Sequence, residues 1–160
     1  MILAIIQARL GSSRLPNKVM QTVGGVPMVK RVWNAAKACR LIDKVVVAWP
    51  ERYPDLDEQD VLERFRRIAK EFKPDTIVRL TADCPLIKWH DINDAILEFH
   101  IRGNPYYSNH YDGHDVQVFT HDYLFSGNTH KEHVIADFTT PNTGLSVNTK
   151  ADLQRVRGMA

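Results

Sequence analysis

The stretch ARLGSSRLPNK, residues 8–18, carries Arg9, Arg14 and Lys18 with no acid among them, alongside Gly11, Ser12 and Ser13. Backbone N–H groups of a Gly/Ser turn can converge on an anion, and guanidinium and ammonium groups then complete a phosphate clamp. Arg suits bidentate contact with phosphate oxygens. Lys is a compact charge suited to negative charge that develops in a transition state. The spacing is neither GxxxxGK[ST] nor GxGxxG, so the usual support for an ATPase or dinucleotide loop is missing. The competing reading is a solvated surface turn whose charges serve solubility.

Two further stretches carry acids. In TADCPL, residues 81–86, Asp83 follows an apolar strand pattern and precedes Pro85. A lone carboxylate there can hold Mg²⁺ while phosphates and water supply the remaining oxygens, or it can be a simple turn acid. Arg79, inside the strand pattern, needs a partner, for which Asp83 or a bound phosphate would serve. In YDGHDVQVF, residues 111–119, Asp112, His114 and Asp115 surround Gly113. They could serve a metal, a ribose or an acceptor hydroxyl, or form an ordinary Asp-Gly turn. His110 with His114 and His130 with His133 are spaced like metal ligands, but no Cys supports a zinc reading.

The elements that must position these residues alternate. Residues 2–7 read as a buried strand. Val29, Val32, Trp33 and Ala36 mark one face of a helix ending near Cys39. Residues 44–48 form a second strand, and Asp60 with Glu63 makes a capping-box pattern for a helix with Leu62, Phe65, Ala69 and Phe72 inward. Residues 76–80 are a third strand, and Asp91 starts a helix using Ile92, Ala95, Ile96 and Phe99. Strands are expected at 116–119 and 145–147, a loop-rich segment at 120–144, and a last helix capped by Thr149. The class is therefore α/β with a largely parallel sheet. Ligands of such sheets sit beyond the strand carboxyl ends where strand order reverses. If the first and third strands are neighbours there, the cationic loop and Asp83 share one crevice.

With 160 residues, 44% of them hydrophobic, the chain is expected to form one domain over 1–160. The net charge of +2 argues against a nucleic-acid arm or a polybasic membrane patch, so cationic character must be local. Cys39 and Cys84, far apart, suit reduced thiols. The opening MILAIIQAR lacks a basic n-region, and no apolar run approaches the roughly 20 residues of a membrane span, so a soluble, cytoplasmic protein is expected.

IIQARLGSSRLPNKVM, followed some sixty residues later by VRLTADCPLI, resembles the cytidylyltransferases of the spore-coat polysaccharide biosynthesis type, similar in turn to CMP-sialic acid and CMP-KDO synthetases. The family pattern A-R-x-G-S-x-R-L-P-x-K is filled at every fixed position from Ala8 to Lys18. GGVPMVKRV, DVLERF, GHDVQVF, KEHV and LSVNTKADL extend the resemblance along the chain. It implies a Rossmann-like, GT-A-like three-layer sandwich with a mostly parallel sheet, and Mg²⁺-dependent transfer of CMP from CTP to an acidic or phosphorylated sugar-like acceptor. Carried over, Arg9, Ser13, Arg14 and Lys18 would hold the triphosphate, with Gly11, Ser12 and Arg79 in the nucleotide-binding set and Ala8 near the base. Arg14, Lys18 and Asp83 would be catalytic, and Asp83 would bind the metal. Expected partners are CTP and that acceptor, with a homodimer allowed for and neither nucleic acid nor membrane among them.

Three departures qualify these expectations. Asn148 replaces an Asp in V-D-T-x-E-D-L, leaving an amide oxygen or Asp115 to complete the metal site. Gln117 stands where Glu is common. Segments of the family pattern are missing after Ala48 and after His121, so the sheet is expected to be trimmed, with strand 44–48 at an edge and covered by loop 49–59. Use of another nucleoside triphosphate, and a nucleotide-binding remnant without catalysis, are the alternative readings.

Overall fold

The computed structural model describes residues 1–58, 60–109, 111–126 and 145–160. Among the described residues the main sheet has five strands. They are β1 (Ile2–Gln7), β4 (Lys44–Ala48), β5 (Thr76–Thr81), β6 (Tyr106–Ser108) and β7 (Gln117–Thr120), in the order β4-β1-β5-β7-β6. A small hairpin, β2 (Thr22–Val23) with β3 (Val26–Pro27), stands apart. β1 is parallel to both β4 and β5, whereas β7 runs antiparallel to β5 and β6. Among the described residues β4 borders only β1 and is therefore an edge of this sheet, as the trimmed pattern implied.

Alternation along buried strands sorts side chains into two helix layers. Ala4, Ile6, Val78, Leu80 and Val118 join a core with Val29, Val32 and Ala36 of α1 (Met28–Ala38) and Ile92, Ala95, Ile96 and Phe99 of α3 (Trp89–Arg102). Leu3, Ile5, Val46, Ala48, Ile77 and Phe119 join a second core with Phe65, Ile68 and Ala69 of α2 (Val61–Phe72) and Leu124 of α4 (His121–Phe125). Tyr53, in the loop after β4, packs against this second core. A third, smaller core gathers Leu15, Val23, Met28 and Val147 with Leu153 and Val156 of α5 (Lys150–Met159). That core ties the cationic loop to the C-terminal segment.

Four local expectations are corrected. Asp60 does occupy the N-cap of α2, but its side chain makes no cap hydrogen bond, and Glu63 pairs with Arg67 instead. α3 begins at Trp89, two residues before Asp91. Asp91 sits in the first turn, where its Oδ2 accepts the Lys88 N–H at 2.9 Å. Residues 145–147 are not a strand; Val147 N–H donates to the Asp83 carbonyl at 2.8 Å and the pairing stops there. Trp33 is only half-buried, packing against the margin of the first core with the Lys30 ammonium 4.0 Å from its ring centroid. Thr149 does cap α5, accepting from Asp152 N–H at 3.2 Å.

Candidate functional site

The reversal of strand order falls at β1 and β5, which lie side by side with Gln7 opposite Thr81. The Ala82 N–H donates to the Gln7 carbonyl at 2.9 Å, carrying the pairing one step beyond the strands. The loops that follow both strands therefore open onto one crevice, as the sequence implied. Arg31 of α1 braces the second loop, donating from Nε to the Pro85 carbonyl at 2.9 Å and from Nη1 to the Val23 carbonyl at 3.0 Å.

Within the first loop, Ala8 is buried beneath it and Arg9 is half-buried, while Ser13 and Arg14 are exposed. The Ser12 hydroxyl accepts the Leu15 N–H at 3.3 Å, so it serves the loop's own turn. Asn17 adopts a left-handed backbone, φ 50°, which aims Lys18 back into the crevice through a short 3₁₀ turn at Lys18–Met20. Lys18 is 7% exposed, and its Nζ donates to Asp83 Oδ2 at 3.2 Å and to Asn148 Oδ1 at 3.3 Å. Three residues singled out from distant parts of the sequence thus meet at one ammonium.

The acids continue outward from that meeting point. Asn148 Nδ2 donates to Ser146 Oγ at 3.3 Å, and Ser146 donates to Asp112 Oδ1 at 2.7 Å. Gly113 makes this approach feasible: its φ is +79°, and a Cβ there would meet Leu145 Cβ at 2.2 Å. Cys84, a free buried thiol like Cys39, donates from Sγ to Asp115 Oδ2 at 3.4 Å and lies 3.8 Å from Asp83 Oδ1. Burial raises the Cys84 thiol well above its ordinary range, with Asp83 and Asp115 adding to the effect. Burial likewise pushes the Asp115 carboxyl up to about 6, with Asp112 and Asp83 adding to it. Asp115 Oδ1 is buried and has no hydrogen-bond partner among the described residues.

Arg79 lies elsewhere. It is buried in the sheet, donating from Nε and Nη2 to Gln7 Oε1 at 3.0 and 2.6 Å and from Nη1 to Gln117 Oε1 at 2.9 Å. Burial lowers its pKa; Asp83 and Asp115 oppose that shift through their charge. These three hydrogen bonds go to amide oxygens, and Asp83 acts on Arg79 through its charge. His114 also stands apart, with Nδ1 2.7 Å from Asp91 Oδ2. His110, His130 and His133 lie outside the described residues, and among those described no three His, Cys, Asp or Glu form a ready metal cluster. Asp112 was visible beside its turn glycine, but Ser146, which links it to Asn148, carried no signal in the sequence.

The model of the Cytidylyltransferase family matches residues 3–50, a span that contains the whole cationic loop. A 3-deoxy-manno-octulosonate cytidylyltransferase of Chlorobium chlorochromatii is 35% identical over 115 residues, covering 63% of this chain and 46% of that protein. The spore coat polysaccharide biosynthesis protein SpsF of Bacillus subtilis is 32% identical over 126 residues, covering 66% of this chain and 52% of its own. The chain spans about half the length of these relatives. In three dimensions it is similar to a CMP:2-keto-3-deoxy-manno-octonic acid synthetase complexed with CTP, with TM-score 0.75, 17% identity, and 99% of this chain and 97% of that one covered. It is also similar to a cytidylyltransferase of Leptospira borgpetersenii, with TM-score 0.67, 24% identity, and 85% and 65% covered. At such identities the structural likeness speaks for the fold. Family match, sequence relatives and fold agree with the resemblance carried by the opening loop: this chain is similar to the cytidylyltransferases.

Proposed function

We propose that the chain transfers CMP from CTP to a hydroxyl of an acidic sugar and releases pyrophosphate. The observation that carries this reading is the convergence of Lys18, Asp83 and Asn148 at the mouth of a cationic loop. In such a transfer the acceptor oxygen bonds to the α-phosphorus, and the bond from that phosphorus to the bridging oxygen breaks. The electron pair leaves with pyrophosphate, and the hydroxyl proton passes to solvent. Little covalent chemistry is asked of the protein, so catalysis is positioning and charge neutralisation. Arg14, exposed on the loop, binds phosphate oxygens, and Lys18 steadies the charge that builds on them.

A divalent cation fits the acid side of the crevice. The donors there are oxygens (Asp83, the Asn148 amide, Ser146, Asp112), and the buried, partnerless Asp115 Oδ1 is a further one. A hard ion such as Mg²⁺ takes such donors and lets phosphates complete its shell. Asp83 would hold it, with Asn148 and Asp115 assisting, and the bound ion would neutralise phosphate charge.

A protein that binds nucleotide without turnover is the second reading. It is favoured by Asn148, which offers a neutral oxygen where the family pattern has a carboxylate. Pyrophosphate release is measured with CTP, UTP, GTP and ATP, with Mg²⁺, across a panel of sugar acids. Release with CTP and one acceptor, lost in Asp83→Asn, is expected. Tight CTP binding with no release for any acceptor, in the parent and in Asn148→Asp, refutes catalysis in favour of the second reading.

A further inference from the structure

The cationic loop already holds an anion, and it is the protein's own. The Gly11 N–H donates to Glu58 Oε1 at 3.1 Å, across 47 residues of sequence. A Cβ built on Gly11 would lie 2.5 Å from Glu58 Oε2 and 2.9 Å from Oε1, so the carboxylate rests directly over the glycine. The backbone beneath Glu58 is anchored. Arg64 of α2, 1% exposed, donates from Nη1 to the Asp57 carbonyl at 3.1 Å and from Nη2 to the Glu58 carbonyl at 2.8 Å.

We infer that Glu58 sets the affinity of the nucleotide site, its carboxylate standing on the backbone donor that a phosphate group takes when nucleotide binds. This rests on the proposed reading of the loop as the triphosphate holder. One N–H cannot serve two anions at full strength, and two anions at hydrogen-bonding distance of one donor repel each other. A bound phosphate must therefore expel the Glu58 carboxylate, and the hydrogen bond that breaks is charge-assisted, stronger than a neutral one. Because Arg64 fixes the carbonyls of residues 57 and 58, the exchange is a rotation of the Glu58 side chain. Until that exchange Glu58 keeps the Gly11 donor satisfied.

The test is titration calorimetry of inorganic pyrophosphate and of CTP, with Mg²⁺, on the full chain at physiological salt. The parent is compared with Glu58→Gln, Glu58→Ala, Glu51→Gln and Arg14→Ala. Removal of the competing carboxylate should tighten both ligands about fivefold or more in each Glu58 variant. Glu51→Gln removes the same charge from the same loop without touching Gly11, and should change affinity less than about twofold because salt screens it. Glu58→Gln is nearly isosteric and carries the test if Glu58→Ala perturbs folding. Unchanged or weaker binding in Glu58→Gln, or an equal gain in Glu51→Gln, overturns the inference. If Arg14→Ala weakens CTP binding in the same series, the triphosphate reading stands even then. No binding of CTP or pyrophosphate by any protein in the series overturns both.

Discussion

Replacing Lys18 by Met keeps the length of the side chain and removes the ammonium at the centre of the site. In the parent, Nζ is 3.2 Å from Asp83 Oδ2, with side-chain exposures of 9% and 28%. At an effective dielectric constant near 20 the gross attraction at that distance is about 5 kcal/mol. Desolvation and side-chain ordering cancel much of it, leaving a net contribution on the order of 1–3 kcal/mol. The variant also strips the nearest ammonium from Asp83, near which Asp115 and Asp112 already crowd one another. For a chain of this length, 1 kcal/mol is worth roughly 2–4 °C in Tm, so a fall of about 3–10 °C is expected. The bared acids should attract a divalent cation more strongly, so millimolar Mg²⁺ should raise the Tm of the variant by more than it raises that of the parent. Turnover should move the other way, falling about a hundredfold or more as charge on the leaving phosphates goes without its partner. Thermal melts with and without Mg²⁺, together with pyrophosphate release under saturating CTP, measure all three effects. A Lys18→Met protein whose Tm, Mg²⁺ response and turnover all stay within about twofold or 1 °C of the parent refutes the assignment.

Three further outcomes are expected. Asn148→Asp gives Lys18 Nζ a second carboxylate partner and supplies a full charge to the metal, so half-saturating Mg²⁺ for CTP binding should fall and pyrophosphate release should rise. Asp115, raised from 3.8 to about 6, binds its proton more tightly folded than unfolded; stability should therefore decline as pH rises from about 4 to 6 and be flat above, and urea midpoints across that range should lose this slope in Asp115→Asn. Gly113→Ala sets a Cβ against Leu145 at a position with φ +79°, and should cost more than about 1 kcal/mol in denaturant melts while loosening the Ser146–Asn148 arm, read as weaker Mg²⁺-dependent CTP binding.

What could be read in the sequence was what local chemistry imposes. Residues 2–6 are a continuous apolar run, and burial on both faces of the sheet is the physical reason for it. The loop after that strand and the acid after β5 meet because a parallel α/β sheet leaves only one end of its strands for such loops. Interactions that depend on tertiary approach stayed hidden. Glu58 reaches Gly11 only because Arg64 pins the 57–58 backbone, and an Arg in a helical pattern reads as solvated until its burial is seen. The apolar ends of LSV suggested a strand, yet past the end of β5 the Asp83 carbonyl is the acceptor that segment finds, and pairing stops after one bond.

Arg79 shows how the two sequence departures belong together. Chain proximity suggests Asp83, four residues on, as its partner, but in a sheet the decisive neighbour is across the ladder, where Arg79 stands opposite Gln117. Gln117 accepts from Arg79 just as Asn148 accepts from Lys18, each through an amide oxygen where the family pattern has a carboxylate. An amide preserves the acceptor and its geometry but removes a negative charge. Both substitutions therefore keep the buried cations in place while leaving them less offset, against the same two acids, Asp83 and Asp115, that act on Arg79. A crevice balanced this way draws anions more strongly and cations more weakly than one with Glu and Asp at those positions. Under the proposed reading, triphosphate oxygens would then be the ligands on which metal binding depends, and the Glu58 carboxylate over Gly11 would be the counterweight to the cationic loop.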